Sequence, residues 1–214
     1  GAMSHAKVYV NGQEVGYWPY GYNSFYFDIT KQLMPGKKNT LAVRLENLPE
    51  SSRWYPGAGL YRNVHVIVTE NAHIPVWGTY VTTPTATKEF AKVNVRTQIV
   101  LLEGADAGKY SVKTSVWNPN GQKLTEQTIP LSQIKYNDNS LSQEFIIQTP
   151  TLWSPDMPAL YSAETRLYEG DQLKDIYTTP FGIRSIEIIP NKGFFLNGEK
   201  TVFKGVCNHH DLGP

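Results

Sequence analysis

Asn208-His209-His210-Asp211 is a dense cluster of reactive side chains. It follows a mostly apolar run, Thr201-Val202-Phe203-Lys204-Gly205-Val206-Cys207, which predicts a buried strand. Strand alternation puts His209 and Asp211 on one side and His210 on the other. Polar groups delivered at the C-terminal end of a buried strand are how a (β/α) barrel begins an active site. The plainer alternative is a strand end whose polar groups are solvated or hydrogen-bonded. A zinc site fits poorly, because zinc needs three or four converging ligands, adjacent strand residues diverge, and no second cluster is visible. Neither a helix pattern nor another strand follows before Pro214, so the chain reads as the front of an enzyme, cut where its catalytic domain begins.

A second candidate is Arg53-Trp54-Tyr55-Pro56, which precedes a glycine-rich turn and is predicted as a loop. A Trp or Tyr ring can stack on a sugar face, and Arg can bond hydroxyls. The competing and favoured reading is that Trp54 and Tyr55 pack a junction between domains. Trp18-Pro19-Tyr20-Gly21-Tyr22 is aromatic and turn-like; a carbohydrate platform is one reading, and core or loop packing is the favoured one. Trp117 and Trp153 are expected to pack a β-sandwich. His5, His65 and His73 have no partners in the sequence pattern, and no phosphate loop or nucleophilic serine motif occurs.

The elements that position these residues are strands. The 13 Tyr, 5 Trp and 8 Phe, with 17 Gly and 14 Pro, fit an all-β chain with many turns. A net charge of +1 argues against an electrostatic nucleic-acid partner. No apolar run is long enough to span a membrane. The single Cys207 excludes an internal disulfide. Gly1-Ala2-Met3 looks like a cloning remnant, so the lack of a signal peptide says nothing about the parent protein.

Alternating runs predict strands at 7–10, 13–16, 24–29, 40–45 and 64–68, with Asn11-Gly12 as a hairpin turn and 34–39 as another. These form a first domain, 4–71. Five strands are few for a sandwich, and an incomplete sheet exposes edges that invite pairing with another chain. Dimerisation through that edge, or poor order, is the expectation. A short linker, 71–75, precedes seven strands at the spacing of an immunoglobulin-like sandwich, near 76–83, 90–102, 110–117, 122–129, 140–148, 160–168 and 173–179. The Cys…Trp…Cys hallmark of antibody domains is absent. This second domain covers 72–182, and 183–214 starts a third.

Four stretches together resemble glycoside hydrolase family 2, the β-galactosidases, β-glucuronidases and β-mannosidases. They are Val8-Tyr9-Val10-Asn11-Gly12 through Phe27-Asp28-Ile29-Thr30; Arg53-Trp54-Tyr55-Pro56-Gly57-Ala58-Gly59-Leu60-Tyr61-Arg62-Asn63-Val64; Leu152-Trp153-Ser154-Pro155 with Pro158-Ala159-Leu160-Tyr161; and Phe181-Gly182-Ile183-Arg184 through Phe194-Phe195-Leu196-Asn197-Gly198 to Lys204-Gly205-Val206-Cys207-Asn208-His209. The second stretch looks most like the β-galactosidase branch.

The resemblance implies a jelly-roll sugar-binding-like domain lacking its first half, an immunoglobulin-like β-sandwich, and the first strands of a (β/α)8 barrel. It implies a retaining mechanism with two glutamates on later barrel strands, about 5 Å apart, neither of them in this chain. Glu187 and Glu199 match neither motif. His209 matches a family histidine that contacts the bound sugar; Asn208 and Asp211 follow it as substrate-binding candidates, although some members carry a basic residue at the Asn208 position. The loop of Arg53 and Trp54 matches one that reaches the substrate, although some members place an aspartate near Arg53. Magnesium or sodium is found in some galactosidases of the family, and nothing in this sequence indicates either. By analogy the parent is a homo-oligomer acting on carbohydrate, in the periplasm or outside the cell. The rival expectation is a stand-alone carbohydrate-binding or adhesion module, which leaves the apolar run ending in Asn-His-His-Asp unexplained.

Overall fold

The computed structural model describes residues 1–49, 57–101, 103–133 and 140–206. The described residues are all-β, and none of their helices is long and apolar enough to cross a membrane. The chain divides into two units, Gly1–Val68 and Thr69–Pro214.

The first unit contains β1 (Ala2–Met3), β2 (Ala6–Val10), β3 (Gln13–Trp18), β4 (Leu41–Arg44) and β5 (Gly59–Leu60). Its three-stranded sheet runs β3-β2-β4, and β1 pairs with β5. Asn11 and Gly12 both take positive φ, 52° and 83°, as the two-residue hairpin between β2 and β3 requires. Ala6, Val8 and Val10 alternate into the core. Ala2 and Met3, set apart in the sequence as a remnant, are buried and paired with Leu60 and Gly59.

Two predicted strands of this unit are not strands. Segment 24–29 joins no ladder. Its rings dock on β3 instead, with Phe25 stacked on Trp18 at 5.8 Å and the Phe27 ring where a side chain on Gly16 would lie. Ring packing on a sheet face replaces edge pairing. Segment 64–68 is also unpaired, and Val64, Val66, Ile67 and Val68 are exposed. Alternation makes this segment extended, but no described strand offers it an edge.

The second unit holds seven long strands: β6 (Thr79–Ala86), β7 (Phe90–Gln98), β8 (Tyr110–Trp117), β9 (Lys123–Pro130), β10 (Ser140–Gln148), β11 (Tyr161–Glu169) and β12 (Gln172–Phe181). They make two antiparallel sheets, β10-β7-β6 and β12-β11-β8-β9. The first strand begins three residues later than the pattern predicts. Pro75 and Gly78 close a turn there (Gly78 N–H to Pro75 O, 2.8 Å), with Trp77 at φ 58°.

Inward residues from both sheets share two apolar clusters. One contains Val93, Val95, Val116, Phe145, Ile147 and Tyr161; the other contains Ile74, Ile99, Val112, Leu131, Leu141 and Leu167. Between them lies a buried polar layer. Three strands step apolar, polar, apolar at every second residue: Val112-Thr114-Val116, Leu141-Gln143-Phe145 and Ala163-Thr165-Leu167. Gln143, 1% exposed, reaches across the sandwich. Its Oε1 accepts from Thr114 Oγ1 at 2.6 Å, and its Nε2 donates to Gln127 O at 2.9 Å. The hydroxyls of Thr114 and Thr165 lie 3.2 Å apart. Hydrogen bonding offsets the desolvation of these groups and ties the two sheets in one register.

The segment entering this unit is stitched down. Ile74 N–H donates to Asp175 Oδ2 (2.8 Å), and Trp77 N–H to the Tyr177 hydroxyl (3.2 Å). His73 and Val100 exchange two backbone bonds. Lys174 Nζ sits 3.1 Å from Glu169 and 3.2 Å from Glu70. Hydrogen bonds to Glu169 and then Glu70 raise the Lys174 pKa above its ordinary value. Burial, and then the Glu169 charge, push the nearby Tyr110 up.

Candidate functional site

Residues 207–214, which carry Asn208, His209 and Asp211, lie outside the described residues, as do 50–56, which carry Arg53 and Trp54. The structure places the elements that lead to the first group. After β12 the chain passes through Gly182, fully buried Ile183, Arg184 and Ser185 into an antiparallel meander of β13 (Ile186–Ile189), β14 (Gly193–Leu196) and β15 (Glu199–Lys200). Thr201 N–H donates to Phe194 O at 2.9 Å, and the Phe203 ring packs on Phe194 at 4.6 Å.

The predicted buried strand 201–207 is not one over its described part. Residues 201–206 form no ladder, and Val202, Phe203 and Val206 are exposed. Buried strands need partners for every backbone N–H and C=O, and no described strand forms a ladder with this one.

Within the second unit, a clasp fixes the meander to the end of the sandwich. Trp153 and Ile183 join through Trp153 N–H to Ile183 O at 2.8 Å. The Arg184 guanidinium lies over the Trp153 ring, 4.9 Å from its centroid, a cation–π contact. A Cβ on Gly182 would sit 2.8 Å from that ring, so the close approach needs glycine. Asn197 closes the clasp from the other side: its Nδ2 donates to Trp153 O (3.0 Å), and its Oδ1 accepts from Ser185 N–H (3.1 Å). Asn197 and Gly198, at φ 53° and 81°, make the turn from β14 to β15. Thr83 Oγ1 donates to Arg184 O at 2.9 Å.

Trp153 therefore packs at the end of the sandwich, and the pairing of Trp153 with Asn197 is what sequence reasoning missed. The Asn-Gly pair is a turn signal, but nothing in its spacing points to a tryptophan 44 residues away.

The meander does not pair its carboxylates. Glu187 shares a row with Phe195 and Lys200, whereas Glu199 shares a row with Leu196 and Ile186. Adjacent rows face opposite sides of a sheet, so Glu187 and Glu199 point apart. Among the described residues no three His, Cys, Asp or Glu side chains gather as a metal group.

The comparisons with known proteins agree with one another. The family model described as glycosyl hydrolases family 2 matches residues 72–184, more than half of the chain. A β-galactosidase of Bacteroides ovatus, BoGH2A, is 37% identical over 214 residues, which is 100% of this chain and 25% of that protein. A β-glucuronidase of Bacteroides fragilis is 30% identical over 99% of this chain and 32% of its own length. Among solved structures, a glycosyl hydrolase family 2 member from Bacteroides cellulosilyticus superimposes with a TM-score of 0.89 at 35% identity, covering 100% of this chain and 27% of that one. The chain thus spans about a quarter to a third of these relatives, and by the family match it belongs to glycosyl hydrolases family 2.

Proposed function

We propose that this chain is the non-catalytic front portion of a retaining glycoside hydrolase that removes terminal β-glycosides, with β-galactosides preferred. The observation that carries the reading is end-to-end similarity to BoGH2A over only 25% of that protein. The galactoside preference follows the name of that relative; the β-glucuronidases at lower identity are the competing specificity. The domain reading is a partial jelly roll over 4–71, an immunoglobulin-like sandwich over 72–182 and the start of a (β/α)8 barrel over 183–214. Strand order supports the middle assignment: the first, second and fifth strands of the sandwich share one sheet, and the other four share the second.

In this reading hydrolysis proceeds by double displacement. One glutamate attacks the anomeric carbon while the other protonates the leaving oxygen; the second then activates water against the glycosyl intermediate. Both glutamates belong to the remaining three quarters of the parent. The chain's contribution is positional. The Trp153–Asn197 clasp holds the meander, and the segment that follows carries His209, with Asn208 and Asp211, to the bound sugar. Arg53 and Trp54 add a loop to the substrate rim. Assembly of the parent as a homo-oligomer through the open edge of the first unit belongs to the same proposal.

The test is hydrolysis of a panel of nitrophenyl β-glycosides by the full-length parent and by this chain alone. The expected result is an active parent that prefers the galactoside beside an inert chain. Turnover by the chain alone would overturn the non-catalytic assignment, and a preference for the glucuronide would overturn the specificity.

A further inference from the structure

We propose that Asn120 is a site of spontaneous deamidation, the one of this chain's three Asn-Gly pairs that the fold leaves open to the reaction. Asn11-Gly12, Asn120-Gly121 and Asn197-Gly198 carry the same local chemistry. In each, the glycine backbone nitrogen can attack the asparagine Cγ, because no Cβ on the following residue blocks the approach. The new N–Cγ bond closes a succinimide ring. The Cγ–Nδ2 bond breaks, and the nitrogen leaves as ammonia with the proton that the glycine N–H gives up. Water then adds to one of the two ring carbonyls, and the ring opens to aspartate or to isoaspartate.

The three sites differ in what holds the asparagine. Asn11 is half-buried. Its Nδ2 donates to Gln32 O and to Asn39 Oδ1, both at 2.8 Å, and its Oδ1 accepts from Thr40 N–H at 2.9 Å. Asn197 is also half-buried, and the clasp holds both ends of its amide, on Trp153 O and Ser185 N–H. Turning either side chain toward the next nitrogen breaks two or three hydrogen bonds at once.

Asn120 is exposed in the turn between β8 and β9, and among the described residues its side-chain amide has no hydrogen-bond partner. Its neighbour Asn118 frames the turn instead. Asn118 Oδ1 accepts from Asn120 N–H at 3.0 Å and from Gln122 N–H at 2.9 Å, and Asn118 Nδ2 donates to Gln122 Oε1 at 3.1 Å. Asn118 cannot react in this way itself, because Pro119 follows it and has no N–H to give up. The bond that attack on Asn120 must release is Gly121 N–H to Asn118 O, 3.0 Å long in an exposed turn. Each event replaces an amide by a carboxylate and takes the formal net charge from +1 to zero. The isoaspartyl product also adds one carbon to the backbone of the turn.

The experiment is incubation of the folded chain in mildly alkaline buffer at physiological temperature, followed by tryptic digestion and mass spectrometry. Cleavage after Lys7, Lys31, Lys113, Lys123, Lys192 and Lys200 puts the three pairs on separate peptides, 8–31, 114–123 and 193–200. The acid form of 114–123 should accumulate at least about tenfold faster than those of the other two, since they must first give up their side-chain hydrogen bonds. Fragment masses should place the change at Asn120, with isoaspartate beside aspartate. In urea, where the native bonds are gone, the three rates should converge to within about threefold. Equal rates at the three sites in the folded chain, or an Asn120 as slow as Asn197, would overturn the proposal. Acid formation without isoaspartate would overturn it too, because that product pattern means direct hydrolysis by water. A rate order that persists in urea would assign the difference to flanking sequence and would overturn the role given to the fold.

Discussion

Gln143→Glu swaps one atom in the buried polar layer, and its cost should depend on pH in a way that no surface substitution would. The glutamate fits the same space. Ionised, it would place an oxygen against Gln127 O, where Gln143 Nε2 now donates at 2.9 Å, and it would be a charge at a position 1% exposed. None of the ion pairs among the described residues involves this position. Protonated, it would restore both bonds, donating to Gln127 O and accepting from Thr114 Oγ1. Burial therefore raises its pKa far above the ordinary value of about 4.3. The cost at pH 7 is capped by the work of protonating such a carboxyl, about 3.7 kcal/mol at 1.36 kcal/mol per pH unit. At pH 4 it falls below about 0.5 kcal/mol. The sign is that of a raised folded-state pKa: stability is present below the unfolded value and lost as pH rises. Native-state hydrogen exchange of β8, β10 and β11 amides at both pH values, variant against wild type, reads this unit separately from the first. An equal loss at pH 4 and pH 7 would refute the two hydrogen bonds assigned to Gln143.

The clasp and the charged cluster give further expectations. Gly182→Ala drives a Cβ to 2.8 Å from the Trp153 ring and should destabilise by about 1–3 kcal/mol, read as a lower thermal midpoint. Asn197→Ala removes the bonds to Trp153 O and Ser185 N–H at a positive-φ position; it should cost about 2–3 kcal/mol locally and speed amide exchange in β14 and β15 without changing β7 or β8. Lys174 and Tyr110 both have raised folded-state pKa values, so their contributions are complete below the ordinary values of 10.5 and 10.0 and are lost as pH rises past them. Stability should therefore fall in alkali, and Lys174→Met should flatten that fall in denaturant titrations at pH 9 and above.

Local alternation made the strands of the sandwich legible, most clearly in β7, β10 and β11, where every second residue is buried, and Asn11-Gly12 marked its hairpin because only a few residue pairs accept two positive φ values. What alternation does not carry is the identity of the partner. Segments 24–29, 64–68 and 201–206 all alternate or run apolar, and none joins a ladder, because pairing depends on a distant edge and on whether rings such as Phe25 and Phe27 find a face first. The polar layer was hidden for a related reason: Thr114, Gln143 and Thr165 look like ordinary polar residues on a strand until the two sheets bring them into hydrogen-bond reach. For the site, the residues that hold the approach, Trp153, Gly182, Arg184 and Asn197, come from three separate stretches. The candidates themselves, Asn208, His209, Asp211, Arg53 and Trp54, lie outside the described residues.

The polar layer also partitions the sandwich core. Phe145 and Val93 belong to one apolar cluster, Leu141 and Val112 to the other, and the tier of Thr114, Gln143 and Thr165 stands between them. Substitutions confined to different compartments share no partners, so their free energies should add, whereas pairs within one compartment should couple. Repacking for thermostability can then treat the halves as two small, independent problems, and variants selected in each can be combined without a second round of screening.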